Sequence, residues 1–123
     1  MATSPLSNHE VKINAEVLGL GPKFLLRISL QNTGKSAYFG STICFSFNPA
    51  YYCMGYSRDS LPSMSVPLLL PGPKQIFETE IKCIDVHGRA DNVLVVVAPP
   101  KKENTSVPLV SATIRMPNSE IWV

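Results

Sequence analysis

Apolar and polar residues alternate along most of this 123-residue chain, and the alternation limits the folds open to it. At positions 11–17, Val, Ile, Ala and Val at the odd positions alternate with Lys, Asn and Glu at the even ones. A period of two places one side of an extended segment against a core and the other in water. The same period occurs at 26–31, 43–47, 64–68, 77–83 and 110–116, and the β-branched run Asn92–Ala98 is typical of a strand covered on both faces. The pattern predicts seven strands, or eight if Ala37–Ser41 pairs separately.

Turn residues and prolines separate these stretches at short intervals. The eleven prolines argue against long helices, because each removes a backbone donor and clashes with the preceding turn. Pro67 lies inside one predicted strand and restricts that strand to a sheet edge. Short strands with turn chemistry between them indicate an all-β sandwich or barrel. Residues 9–123 are predicted to form this single domain, and residues 1–8 a flexible tail.

One short stretch matches the end of a nucleotide-binding motif. Gly34-Lys35-Ser36 spells the last three residues of a P-loop, but that motif also needs a glycine where this chain has Ser29. A P-loop opens a helix, whereas the residues that follow here are β-like. We therefore interpret Asn32–Lys35 as a hairpin turn, with Asn32 and Gly34 at positions that tolerate positive φ. No nucleotide or other cofactor is predicted.

Charge and cysteine content exclude further classes. The formal net charge of +2 does not supply the concentrated positive field that backbone-driven nucleic-acid binding needs, so no nucleic-acid partner is predicted. Cys44, Cys53 and Cys83 are an odd number without a CxxC pair, which is typical of free thiols in a reducing compartment. The first residues lack the pattern of a signal peptide, and the longest apolar stretches are too short to span a bilayer.

A catalytic or metal site has few candidate residues. His87 lies in a polar stretch with Asp85 and Asp91, and Cys83 precedes it, so a small hydrolase with a cysteine nucleophile is one hypothesis. The alternative is a polar connection between two strands, with Cys83 facing the core. Zinc needs four converging N or S ligands, and Cys83 with His87 gives one loose pair, so no metal site is predicted.

Large amphipathic side chains concentrate at 48–58 and at the C-terminus. Tyrosine is over-represented in binding hot spots, because its rigid ring supplies area while the hydroxyl stays hydrated. The alternative is that these side chains cover the open end of the sandwich. The residues of this candidate interaction surface are Tyr51, Tyr52, Met54, Tyr56, Ile121 and Trp122.

The order of segments resembles a known domain. The chain contains, in order, VLGLGP, the NTG turn, FNP followed by aromatic residues, VPLLLPG and the closing SATIRMP. This ordered set, over roughly residues 10–120, is similar to the γ-adaptin-ear (GAE) domain of the Bardet–Biedl syndrome protein family, and more distantly to the ears of clathrin adaptors. The resemblance implies an immunoglobulin-like β-sandwich of seven to eight antiparallel strands.

The resemblance also implies a function. It implies a non-catalytic interaction domain of a subunit of the BBSome, the coat-like complex that carries membrane proteins into and out of cilia. Other BBSome subunits and ciliary membrane-protein cargo are the implied partners, with membrane contact only through the complex. The implied location is the cytoplasm, the cilium with its membrane, and the basal body. The alternative is an ear of the clathrin-adaptor type that captures short peptides, although its groove residues do not match this sequence one by one.

Overall fold

The computed structural model describes residues 10–55, 62–100 and 107–121, and these residues form two packed β-sheets. Eight strands and no helix occur in these ranges. It follows that no helix in the described part of the chain is long and apolar enough to cross a membrane. The strands are β1 (Val11–Leu18), β2 (Lys23–Asn32), β3 (Tyr38–Ser46), β4 (Tyr52–Cys53), β5 (Ser63–Leu69), β6 (Lys74–Cys83), β7 (Asn92–Ala98) and β8 (Val110–Arg115).

The strands divide equally between the two layers. The first sheet has the order β1-β2-β6-β4 and the second sheet has the order β5-β3-β7-β8, with all the described strand pairs antiparallel. Strands β1 and β8 lie against each other along one side of the sandwich. The predicted all-β sandwich of seven to eight antiparallel strands is confirmed.

Alternate residues of both sheets fill the space between the layers. In β2 the buried apolar residues are Phe24, Leu26, Ile28 and Leu30, and the residues between them lie on the outer face. In β7 the valines at 93, 95 and 97 are fully buried. Burying each of these side chains contributes about 1.5–3 kcal/mol relative to leaving it exposed. One continuous apolar core therefore holds the two sheets together.

The eighth strand is not the one suggested by the sequence. Ala37–Ser41 does not pair separately, because Tyr38 already begins β3 and the strand continues without interruption to Ser46. The additional strand is the two-residue β4, which pairs with the end of β6. Two residues are too few to show a period, and therefore the sequence pattern gave no sign of β4.

The turn at Asn32–Lys35 is not a hairpin, although a strand does follow it as predicted. Strand β2 belongs to the first sheet and β3 to the second, so the connection crosses between layers. Gly34 is not among the described glycines with positive φ. The buried Asn32 side chain holds the crossing, because its Nδ2 donates to the carbonyls of Ser36 and Leu69 and its Oδ1 accepts from Gly34 N. A local turn signal does not reveal which sheet the next strand joins.

Two further differences concern the second sheet. Strand β5 is an edge strand, as Pro67 predicts, but the alternation shifts after the proline, so that Leu69 is buried and Leu68 is exposed rather than core-facing. Gly40, which has a positive φ of 79°, lies in the neighbouring strand β3 at the same level. Strand β7 is covered on one face only, because Leu94 is exposed and Val96 is half-buried on the other.

Candidate interaction surface at the loop end of the sandwich

One end of the sandwich brings together four segments that are distant in sequence. These segments are the β1–β2 turn, the residues around β4, the β6–β7 connection and the C-terminal stretch after β8. Main-chain hydrogen bonds join them: Cys83 N donates to Pro22 O over 2.7 Å, and Ile84 N donates to Tyr51 O over 2.8 Å. Backbone bonds between loops hold the side chains of this loop end in fixed relative positions.

Tyr52 is part of the core. Its side chain is 1% exposed, and its ring meets Phe47 edge-on with the ring centroids 6.4 Å apart. Its hydroxyl accepts a hydrogen bond from Asp91 N over 3.0 Å and lies 3.4 Å from Asp91 O. Burial is the main cause that raises the pKa of this phenol. Tyr52 therefore joins β4 to the connection before β7, and its ring is not available at the surface.

Tyr51 and Met54 are half-buried and pack against the edge of the core. The Tyr51 ring lies 6.4 Å from that of Tyr52, and the Arg89 guanidinium carbon lies 5.7 Å from the Tyr51 centroid. A cation at this distance from an aromatic face is attracted by the ring quadrupole. Tyr51 therefore shares its surface between the core and Arg89, which fits the interpretation that such residues cover the end of the sandwich.

Asp85 and Arg89 order the β6–β7 connection. Arg89 N and Nε donate to Asp85 Oδ2 over 2.8 and 3.1 Å, and Nη2 donates to Oδ1 over 2.9 Å. These side-chain bonds, with the backbone bonds of Arg89 and His87, lower the pKa of the Asp85 carboxyl far below its ordinary value of 3.8. The aspartate thus closes a polar turn, as the non-catalytic interpretation of this stretch predicts.

The proposed pairing of His87 with an acid is not formed by Asp85, whose carboxylate bonds to Arg89 instead. Asp91 uses its carboxylate on Asn92 N, and Cys83 is buried on the core side of β6 as predicted. Within the described ranges no three His, Cys, Asp or Glu residues are grouped so that they could hold a metal ion. The contacts around Cys83 and His87 are therefore those of a structural connection.

The C-terminal stretch docks through its backbone. Ser119 N donates to Gly88 O over 2.8 Å, and Glu120 N donates to Leu20 O over 2.9 Å. A Cβ on Gly88, whose φ is +66°, would overlap Ser119 O and would come within 3.4 Å of Ile121 Cγ1. Glycine at 88 therefore allows the last described residues to lie directly on the β6–β7 connection. Tyr56 and Trp122, two members of the candidate surface, lie outside the described residues.

Docking leaves an apolar patch at the loop end. Ile121 is exposed and sits beside Gly88, and three further apolar side chains project from the segments bonded to it. These four residues, 44–78% exposed, form what we call the end patch: Leu20, Ile84, Val86 and Ile121. Sequence analysis identified only Ile121. The missed signal was the presence of large aliphatic residues within stretches rich in glycine, aspartate and proline.

The fold and this surface define a class of domain, a β-sandwich whose hydrogen-bonded loops present apolar side chains. The family model described as Bardet-Biedl syndrome 1 protein, GAE domain, matches residues 11–122. The human protein described as BBSome complex member BBS1 is 39% identical over 123 residues, covering 95% of this chain and 19% of that protein. The mouse protein of the same description is 37% identical over 121 residues, with the same coverage.

The chain therefore belongs to the family of Bardet-Biedl syndrome 1 protein GAE domains. This confirms the resemblance to a Bardet–Biedl syndrome protein GAE domain noted in the sequence, and the matching family is that of the first member. The chain spans about a fifth of the length of these relatives, 19% in both cases. A solved β-glucosidase from Kluyveromyces marxianus in complex with glucose covers 86% of this chain at 17% identity, but its TM-score of 0.38 supports no inference.

Proposed function

We propose that this domain is a non-catalytic protein–protein interaction module of a BBSome subunit, and that it helps to assemble the coat complex that traffics membrane proteins to and from cilia. Its relatives are described as BBSome complex members, and the match covers almost the whole chain. The implied sites of action are the cytoplasm, the ciliary membrane and the basal body. Ciliary membrane proteins are a further class of partner, reached through the complex.

The observation that carries the proposal is the end patch. Its four side chains leave exposed apolar surface on a backbone that is already ordered by hydrogen bonds between loops. Binding therefore costs little additional conformational entropy, and the apolar area removed from water drives association. Tyr51 lies beside this surface, because its carbonyl accepts a hydrogen bond from Ile84 N. Met54, Tyr56 and Trp122 remain proposed members of it.

The test is co-purification of this chain with individually purified BBSome subunits. We expect Val86→Lys with Ile121→Lys to weaken binding of the cognate subunit at least tenfold, because two ammonium groups would be forced into an apolar contact. Ile76→Lys is the matched control, since Ile76 is equally exposed but lies on the outer face of the first sheet. Tyr52→Ala is unsuitable here, because it would leave a cavity in the core.

Two outcomes would contradict the proposal, the first its contact surface and the second its function. Undiminished binding by the Val86→Lys, Ile121→Lys chain would show that the end patch is not the contact. An NMR titration in which short aromatic-containing peptides shift resonances, while no BBSome subunit does, would favour peptide capture by an ear of the clathrin-adaptor type instead.

A further inference from the structure

The outer faces of the two sheets differ sharply in charge. The strands of the first sheet carry eight charged residues, and Arg27 bonds across its outer face to Glu16 over 3.3 Å and to Glu78 over 2.7 Å. The four strands of the second sheet carry one charged residue, Arg115, at the end of β8. An exposed sheet face ordinarily carries polar and charged side chains. The second sheet departs from this rule.

The strand register shows what lies on this neutral face. Cys44 is central, opposite Val96 on β7 and Ser63 on β5. Small hydroxyl residues and aliphatic residues surround it, and Phe39, which is 66% exposed, pairs with Leu68 at one end. The described residues of the neutral face include Phe39, Thr42, Cys44, Ser46, Ser63, Ser65, Leu68, Leu94, Val96, Ala98, Ser111 and Thr113.

This composition determines the partner that fits. No charged side chain lies between the ends of the neutral face. A partner can therefore cover this face without removing the hydration shell of an ionised group. A partner that brought a charge onto it would bury that charge without a counter-ion, which is unfavourable. The small central side chains also let another main chain approach closely. The complementary surface is therefore flat and uncharged.

Area argues against a second copy that is bound through this face alone. Four strands spaced about 4.8 Å apart, over six residues of about 3.4 Å each, give a face of roughly 400 Å². A stable interface buries about 800 Å² per partner, so two neutral faces alone are too small to make a stable dimer. The face suffices as one part of a larger contact that also uses another surface of the domain.

We propose that the neutral face is a second docking surface, covered by a flat, uncharged surface of another protein chain within the assembled complex. It lies on a sheet face, whereas the end patch lies on loops, so the two surfaces together provide the area that neither provides alone. The inference rests on the proposed function only in requiring that the domain works inside an assembly.

The cysteines supply a direct test. Cys44 is half-buried on the neutral face, Cys53 is exposed on the first sheet, and Cys83 is buried. In the free chain carrying Cys53→Ser we expect iodoacetamide to alkylate Cys44. In the complex of this chain with the purified BBSome subunit that binds it, we expect the alkylation rate at Cys44 to fall at least tenfold. Cys83, which is buried in the core, should stay protected in both states.

A charge variant provides a second readout. Thr113→Lys places an ammonium group on the neutral face and should weaken binding of the same subunit at least tenfold. Ser29→Lys, on the outer face of the first sheet between Asn14 and Ile76, is the matched control and should bind normally. Circular dichroism shows whether Thr113→Lys folds. If it does not, the alkylation of Cys44 in a chain without this substitution still tests the inference.

The outcomes separate this inference from the proposed function. If no BBSome subunit binds the chain, the proposed function fails. If a subunit binds and Cys44 keeps its free-chain rate, only the neutral-face inference is overturned. If Cys44 becomes protected as the concentration of the chain alone rises, and sedimentation equilibrium shows a dimer, the occupant is a second copy and the inference is equally overturned.

Discussion

At the residue scale, Gly88 shows how one missing Cβ organises the loop end. Its φ of +66° lies in the left-handed region, and the space a side chain would need is taken by Ser119 O. Gly55 has nearly the same φ, +64°, but no described atom lies within 4 Å of its Cβ position. Both positions therefore carry the cost of a left-handed backbone, but only Gly88 also carries the cost of steric overlap.

We expect Gly55→Ala to cost about 1–2 kcal/mol, because the left-handed conformation is strained for alanine. Gly88→Ala should cost at least about 1 kcal/mol more, since the C-terminal stretch must also move away from the β6–β7 connection. Urea unfolding of both variants measures the difference. Equal losses of stability would show that the stretch does not depend on close contact at Gly88.

The Asp85–Arg89 contact makes the stability of the folded chain depend on pH. The pKa of Asp85 is lowered in the folded state, so the unfolded state binds more protons and stability falls as pH falls. This contribution is fully present above the ordinary aspartate pKa of 3.8 and is lost as pH falls below it towards the folded pKa.

We therefore expect Asp85→Asn to lower Tm at pH 7 and at pH 5, and the gap from the original chain to narrow below about pH 4. Arg89→Met should remove the same acid-dependent part, because it removes the partner. Adding Asp85→Asn to Arg89→Met should then change little. A gap that stays constant down to pH 2, measured by thermal unfolding, would contradict this account.

At the element scale, β2 has one face in the core and one outside. Leu25 and Leu26 are chemically identical neighbours, and the pleat points Leu26 into the core while Leu25 is half-buried on the outer face. We expect Leu26→Ala to cost about 2–5 kcal/mol through lost burial and a residual cavity, and Leu25→Ala to cost about 1 kcal/mol or less. Denaturant unfolding measures both. Similar costs would mean that the strand is out of register.

In the second sheet, strand β5 departs from the alternation that its own sequence predicts. In β5 the alternation through Met64 and Val66 predicts an inward Leu68, but the phase shifts at Pro67, at the level where β3 contains the positive-φ Gly40. Neither Pro67 nor Gly40 by itself predicts this change of phase, because the change depends on the pairing of two segments that are distant in sequence. Its consequence is that Phe39 and Leu68 join the neutral face instead of the core.

At the scale of the whole molecule, one core joins both sheets, so the domain should open as a unit. Cys83 reports on this, because it is buried in that core. In a chain with Cys44→Ser and Cys53→Ser, we expect iodoacetamide to label Cys83 at least about 10³-fold more slowly than an unstructured thiol, in line with a stability of 5 kcal/mol or more.

Labelling of Cys83 in the native chain at the rate of a free thiol would contradict a single cooperative core. It would also revive the hypothesis of a cysteine nucleophile, which requires an accessible thiolate. The distribution of charged and apolar side chains over the surface favours an interaction domain over an enzyme with a cysteine nucleophile. The charged outer face of the first sheet suits water, and the neutral face and the end patch suit other proteins.

The sequence by itself determined seven of the eight described strands and most of their buried faces, because a period of two is a local property that each segment carries independently of its partners. It also determined the edge position of β5 through Pro67, and the family through the order of its segments. Only the tertiary structure decided that Asn32 holds a crossing between sheets, that Tyr52 is a core residue, and that the loops carrying the end patch are joined at one end. These facts depend on which segments become neighbours across the sandwich, and that choice is made by packing between residues far apart in the chain.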